Sequence, residues 1–241
     1  MLEHLHAITL RIVRHNDKMS IADVLTRERG RMSFALRLPA TPKKNSHLNL
    51  WRNLNMLEFD ADLREADRLA YPKNVCSYHI YNDLPYNPLK TMVSMFVNEL
   101  LTETVRGEMT DIRLYDFVEQ SLMLLDALDE TDANFHIAFA VKLICLLGVE
   151  PSVEQEPGQN YYDLQTAGYT DYVPIHKNFL KDEEADFVKS LLRITYRNMS
   201  SFKFSRTQRR RVLEVINEYC MIHIHGFRAL KSLAVLQETL S

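Results

Sequence analysis

Residues 20–38 read SIADVLTRERGRMSFALRL. In RMSFALRL, Met32, Phe34, Leu36 and Leu38 fall on one side of an extended chain and Arg31, Ser33, Ala35 and Arg37 on the other. Successive side chains of a strand point to opposite faces, so this alternation predicts a half-buried strand. SIADVLT predicts a second strand, and RERG between them predicts a turn closed by Gly30.

Outward from this pair the two-residue period continues. In HAITLRIV, Ile8, Leu10 and Ile12 point one way while Thr9, Arg11 and Val13 point the other. LNLWRNLNMLEF (48–59) and READRLAY (64–71) carry fainter strand patterns. Five short strands within about 75 residues predict a small barrel, and the five-stranded OB-fold is its natural form. After NDLPYNP (82–88) the period becomes helical. Leu89, Met92, Val93, Phe96, Leu100 and Leu101 make one stripe, and Leu114, Phe117, Val118, Leu122 and Leu125 make another. NFHIAFAVKLICLLG (134–148) is apolar almost all round, which predicts a central helix stopped by Gly148 and Pro151. Residues 150–178 are rich in Pro, Gly, Gln, Tyr and Asp and predict an irregular insert with room for a small hairpin. Helix returns over 183–198, 205–225 and 230–240. The fold class is α+β: an OB-fold barrel over 1–80, then an all-α domain over 81–241.

The 241 residues carry a net charge of −3, yet residues 1–52 hold ten basic side chains against four acidic ones. A basic end on an acidic whole points to a local site for a polyanion. Cys76, Cys145 and Cys220 are too few and too far apart for a disulfide framework or a zinc ribbon. The N-terminus has no apolar signal segment, and the longest apolar run is interrupted by Lys142 and shorter than the roughly 20 residues a bilayer requires. The expectation is a soluble protein of the cytoplasm, associated with the nucleoid and not with a membrane.

His223 and His225 stand one residue apart in YCMIHIHGFRALKSL (219–233). SRTQ upstream is a capping box, with Ser205 as N-cap and Gln208 three residues on. Helical neighbours two apart point about 200° away from each other, so these histidines do not chelate one ion. The reading places His223 on the core face and His225 in the last turn before Gly226. Asp60 and Asp62 could serve a metal nuclease, but a solvated turn is the simpler reading, because two carboxylates alone do not build a two-metal site. There is no nucleophile elbow, phosphate loop, HExxH or dinucleotide turn. No catalytic residue, metal ligand or cofactor is expected.

The basic side chains offer more. Arg11, Arg14, Arg27, Arg29, Arg31, Arg37, Lys43, Lys44 and Arg52 gather around the predicted barrel, with Trp51 beside the last. Cations that track phosphates near a ring that stacks a base are what a single-strand groove needs; the alternative is an ordinary charged surface with Trp51 in the core. Lys203, Arg206, Arg209, Arg210 and Arg211 form a second cluster at a helix N-terminus, where positive charge opposes the helix dipole. An acidic ligand there would explain it; a solvated face is the alternative.

With these residues in place the sequence resembles the RecO family of bacterial DNA repair and recombination mediators. The resemblance is carried by AITL (7–10), by 20–38 with its T-x-x-x-G turn from Thr26 to Gly30, and by the basic loop PKKNSHLNL (42–50). It continues in NFHIAFAVKLICLLGVEP (134–151) and FRALKSLAVL (227–236). It implies an N-terminal OB-fold, a helical C-terminal domain and no nucleotide hydrolysis. It implies binding of single- and double-stranded DNA, annealing of complementary strands, and binding of the acidic C-terminal tail of the single-stranded DNA-binding protein. Work with RecR, and loading of RecA onto coated DNA, are implied as well. Lys203, Arg206, Arg209 and Arg210 would receive the tail. Two departures stand out. Many members carry a four-cysteine zinc site where this chain has EPSVEQEPGQNYYDLQTAGYTDYVPIH (150–176), without a cysteine, so that Tyr161, Tyr162, Leu164 and Tyr169 are expected to pack the insert. The third strand also runs into Leu38-Pro39, where members often have glycine. A protein-only adaptor and a metal nuclease built on Asp60, Asp62 and a histidine are the competing readings.

Overall fold

The computed structural model describes residues 2–38, 46–63, 69–107, 110–129 and 133–239, with backbone alone at 46–47 and 237–239. They divide into two compact units, one drawn from residues 1–94 and 101–128, the other from 95–100 and 129–241.

The first unit opens with β1 (Leu2–Asn16), β2 (Met19–Thr26) and β3 (Gly30–Arg37). A short helix α1 (Ser46–Leu50), then β4 (Met56–Asp62) and β5 (Lys73–Ser77), follow. They form one antiparallel sheet in the order β3-β2-β1-β4-β5. The Thr26–Gly30 turn is held by its own threonine. Thr26 Oγ1 donates to Gly30 O at 2.7 Å and accepts from Arg29 N at 3.1 Å, while Gly30 takes φ +70°, which glycine adopts without strain. The inward row of β3 and its partners make the core. Leu5, Ala7, Ala22, Val24, Phe34, Leu36, Trp51, Leu57, Phe59 and Ala61 are buried together, with the Phe34 ring edge-on to Phe59 at 4.9 Å.

The sheet is barrel-like but not closed. No strand ladder joins β3 to β5 among the described residues. The chain entering β5 instead reaches back to β3, where Ala35 N donates to Ala70 O at 2.9 Å. Beside it the Arg37 guanidinium lies 4.8 Å from the centre of the Tyr71 ring. The expected plan of five strands followed by helices therefore holds, with three local differences. LNL of 48–50 is helical, so β4 begins only at Met56. The fifth strand among the described residues is KNVCS; of READRLAY, Leu69–Tyr71 are irregular and 64–68 lie outside the described residues. In β1 the register slips between Thr9 and Arg11. An extra residue at such a bulge breaks the alternation, so Ile8, Thr9 and Leu10 are all buried while Ile12 and Val13 are exposed.

Helices α2 (Pro88–Thr104) and α3 (Ile112–Ala127) start on side-chain caps. Asn87 accepts from Leu89 N and Lys90 N, and Asp111 from Arg113 N and Leu114 N. The stripe of α2 is rotated from the sequence reading: Leu89 is exposed, and Lys90 is wholly buried. Lys90 Nζ donates to Asp126 O at 2.7 Å and Leu128 O at 2.5 Å, at the C-terminal end of α3, and pairs with Asp83 at 2.8 Å. The negative end of a helix suits a cation there. The Asp126 carboxylate in turn accepts from Asn82, Asp83 and Leu84 N, and holds the turn that leads into α2.

In the second unit α4 (Phe135–Leu146) is the central helix that its composition predicts. Phe135–Val141, Leu143 and Ile144 are buried on it. The insert is more regular than expected. β6 (Tyr161–Asp163), β7 (Gly168–Thr170) and β8 (Phe179–Lys181) form a three-stranded sheet in the order β7-β6-β8. Tyr162, Leu164 and Tyr169 are buried in it, and Tyr169 donates to Ala185 O. α5 (Asp182–Leu191), α6 (Arg206–His223) and α7 (Ser232–Thr239) complete the unit. The capping box of Ser205 and Gln208 is present, and Glu99 accepts from Lys231 N and Ser232 N to cap α7.

Replacing Lys90 with Met keeps the packing and takes the ammonium donor from the buried Asp126 carbonyl and the half-buried Leu128 carbonyl. The expected cost is about 2–4 kcal/mol, read as a lower urea midpoint at unchanged slope. An unchanged midpoint would remove Lys90 from this role.

Candidate nucleic-acid interface

The polar face of β1–β2–β3 is organised around Asp23. The register sets Arg11 opposite Asp23 on one side and Ser33 on the other. Asp23 accepts from Arg11 Nε at 2.6 Å, Ser33 Oγ at 2.6 Å and Arg31 Nη2 at 3.3 Å. Burial raises this carboxyl, but the Ser33 hydroxyl and the Arg11 guanidinium overcome that and hold it below the ordinary carboxylate range. Arg31 is mostly buried. Its Nη1 donates to Thr102 O at 2.7 Å and Val105 O at 2.6 Å, at the C-terminal end of α2.

The other predicted barrel cations sort by partner. Arg27 pairs with Asp116 at 3.1 Å, Arg29 forks onto Glu3, and Arg14 reaches Asp17 at 2.8 Å while staying largely exposed. Arg52 and Arg37 are exposed and make no ion pair among the described residues. Lys43 and Lys44 lie outside the described residues. Lys18 was not singled out by the sequence reading. It stands in the two-residue turn between β1 and β2, and Leu38 N donates to its carbonyl, so it neighbours the end of β3 that carries Arg37. Arg14, Lys18 and Arg37 thus share one end of the sheet. The signal for Lys18 was the Asp17-Lys18 pair between two alternating runs.

Trp51 is not a stacking platform. It is 3% exposed, packed 5.4 Å from Phe59. The exposed ring beside the cations is Tyr71, under Arg37.

The second basic cluster is also divided. Arg209 is turned inward, with Nε 3.2 Å from Asn134 Oδ1. Arg210 pairs with Glu214, and Arg211 forks onto Glu184. Lys203 and Arg206 are exposed, with no ion pair among the described residues. Alongside them a groove of about 390 Å³ runs between α5 and α6, lined by Leu180, Phe187, Val188, Leu191, Phe204 and Val212 among others.

The two histidines near the C-terminus stand apart. His223 Nε2 donates to Leu164 O at 2.7 Å and its ring lies against Tyr219. α6 ends there, so the exposed His225 falls beyond the helix and not in its last turn. Asp60 accepts from Asn74 Nδ2 at 2.8 Å and from the His4 ring at 3.0 Å.

Comparison with known proteins adds a family. The family described as recombination protein O C terminal matches residues 85–234. The DNA repair protein RecO of Phocaeicola vulgatus is 35% identical over 241 residues, the whole of both chains. That of Bacteroides fragilis is 32% identical over 239 residues, 99% of each chain. That of Porphyromonas gingivalis is 30% identical over 234 residues, 95% of this chain and 96% of its own.

Asp23→Asn tests the organising carboxylate. Its depressed pKa contributes stability that is complete above the ordinary carboxylate pKa and is lost as pH falls through the folded value. At neutral pH the variant is expected to be about 1–3 kcal/mol less stable than the wild type. That gap should narrow below about pH 4 in urea melts, and a gap independent of pH would contradict the assignment.

Proposed function

The chain belongs to the RecO family of DNA repair proteins, and from that premise we propose that it is a non-enzymatic recombination mediator whose barrel holds DNA. The observation that carries this reading is the open end of the sheet, where Arg14, Lys18 and Arg37 reach solvent beside the exposed Tyr71 ring. Cations there meet phosphates, and the ring stacks a base without reading its sequence. Arg52, Lys43 and Lys44 are further phosphate contacts in this reading. Single and double strands both present phosphates, so both bind. Annealing then follows from charge alone, because neutralising two strands lowers their mutual repulsion. No covalent step is assigned to any residue.

The helical unit receives a protein partner in this reading. The α5–α6 groove is mainly apolar, with Glu183, Glu184 and Arg211 also on its lining and Lys203 and Arg206 exposed close in sequence to its Phe204 wall. A chain end that is acidic and then apolar fits such a groove, and the acidic tail of the single-stranded DNA-binding protein is the proposed occupant. Partnership with RecR and delivery of RecA to coated DNA complete the role, in the cytoplasm at the nucleoid. No helix among the described residues is long and apolar enough to cross a membrane.

Fluorescence anisotropy of a labelled oligonucleotide across a salt series tests the barrel. Binding of micromolar strength or tighter at low salt is expected. Lys18→Ala, Arg37→Ala and the Lys43→Ala/Lys44→Ala pair should each flatten the salt slope, by about one unit per lost phosphate contact. Tyr71→Ala should weaken single strands by about 1–3 kcal/mol and duplexes less. No binding at low salt would favour the adaptor. For the groove, Lys203→Ala/Arg206→Ala should lower affinity for the acidic tail peptide, and full retention would remove that site.

A further inference from the structure

Far from Arg37 along the sheet, the outer face of β1, β4 and β5 carries a row of groups that the reading above does not use. His4 and His6 are two apart on β1 and therefore on one face. The register sets His6 opposite Glu58 and His4 opposite Asp60 on β4, and Glu58 opposite Cys76 on β5. Nε2 of His4 lies 3.7 Å from Glu58 Oε2, and Nε2 of His6 lies 4.0 Å from the same oxygen. One ligand atom from each of His4, His6 and Glu58 falls within 4.8 Å of the others.

The orientation of the rings is the stronger argument. His4 Nδ1 faces Asp60 Oδ1 at 3.0 Å, and His6 Nδ1 faces Glu28 Oε1 at 2.8 Å. Glu28 is itself fixed, because its other oxygen accepts from His6 N at 3.0 Å. A carboxylate only accepts, so each ring donates through Nδ1. In the neutral imidazole the lone pair is then on Nε2, and both Nε2 atoms face Glu58. A histidine ligand backed by a carboxylate on its other nitrogen is how metal sites set tautomer and direction. Bonds of about 2.0–2.2 Å place tetrahedral ligands about 3.3–3.5 Å apart, so small side-chain rotations close the set. Cys76 Sγ lies 3.1 Å from the other oxygen of Glu58, on the neighbouring strand.

We infer that His4, His6 and Glu58 form a binding site for a divalent cation of the zinc class, with Cys76 as fourth ligand. Two imidazoles, a carboxylate and a thiolate suit zinc and exclude the all-oxygen preference of magnesium and calcium. Binding releases the Cys76 thiol proton, now donated to Glu58, to solvent. The cation would join three adjacent strands and pin β5, the short edge strand of the sheet.

The test uses tag-free, chelator-stripped full chain in equilibrium dialysis against zinc. One equivalent is expected per chain. His6→Ala and Glu58→Gln should each lose at least tenfold in affinity, while His223→Ala/His225→Ala keeps it. Circular dichroism and melting of each variant in chelator establish that it is folded. Cobalt substitution gives a second reading: tetrahedral visible bands, with a thiolate charge-transfer band that Cys76→Ser removes. Uptake that survives the His4→Ala/His6→Ala double variant, or its absence in the wild type, overturns the site. A cobalt spectrum unchanged in Cys76→Ser overturns the fourth ligand. DNA binding is read separately, so the outcome is independent of the proposed function.

Discussion

The change from two-residue to helical period depends on one buried ammonium. Lys90 carries a full charge with no access to solvent, which is costly unless every proton finds an oxygen. Here it finds Asp83 and two carbonyls at the end of α3. Those carbonyls belong to the last turn of a helix and have no partner within it. Asp126, one of the residues that provides them, uses its carboxylate to hold the three amides before α2. The turn, the start of α2 and the end of α3 are therefore fixed as one arrangement. Removing any member leaves the others unsatisfied.

The same logic of partners divides the basic residues. The excess of positive charge in the first 52 residues gives no hint of which members are available. Asp23, Glu3 and Asp116 engage Arg11, Arg31, Arg29 and Arg27, and so turn part of the excess into architecture. The cations of this stretch that make no ion pair among the described residues are Lys18 and Arg37, at the β1–β2 turn and the end of β3, and Arg52. A polyanion site is defined as much by the carboxylates that occupy neighbouring cations as by the cations themselves.

Much of this was legible in the sequence. The Thr26–Gly30 turn, the inward row of Phe34 and Leu36, the Ser205 capping box and the central helix α4 rest on local chemistry. Local pattern carries them because the physical cause lies within a few residues. Other features depend on distant neighbours. Leu69–Tyr71 are apolar throughout and KNVCS is not, yet KNVCS is the strand, because pairing with β4 and not composition decides. Leu89 looks like core and Lys90 like surface, and the carbonyls of α3 reverse them. Trp51 beside Arg52 looked equally like a base platform and a core ring, and only its packing on Phe59 distinguishes the two. Glu58 on β4 is 52 residues from His6 and 54 from His4 on β1, so nothing in the spacing shows that the register aligns it with them.

The seam between β3 and the chain before β5 has a mechanical consequence. A tube cut along its length resists bending almost as well as a closed one but resists twisting far less. In this sheet a main-chain hydrogen bond from Ala35 to Ala70, the Arg37 guanidinium on the Tyr71 ring and the Tyr71 hydroxyl on Met19 Sδ bridge the cut among the described residues. Four strand ladders elsewhere keep the wall stiff along the strands. The sliding that such twisting requires is thus taken up at the seam beside Arg37. That edge can follow the pitch of whatever lies on it without breaking a ladder.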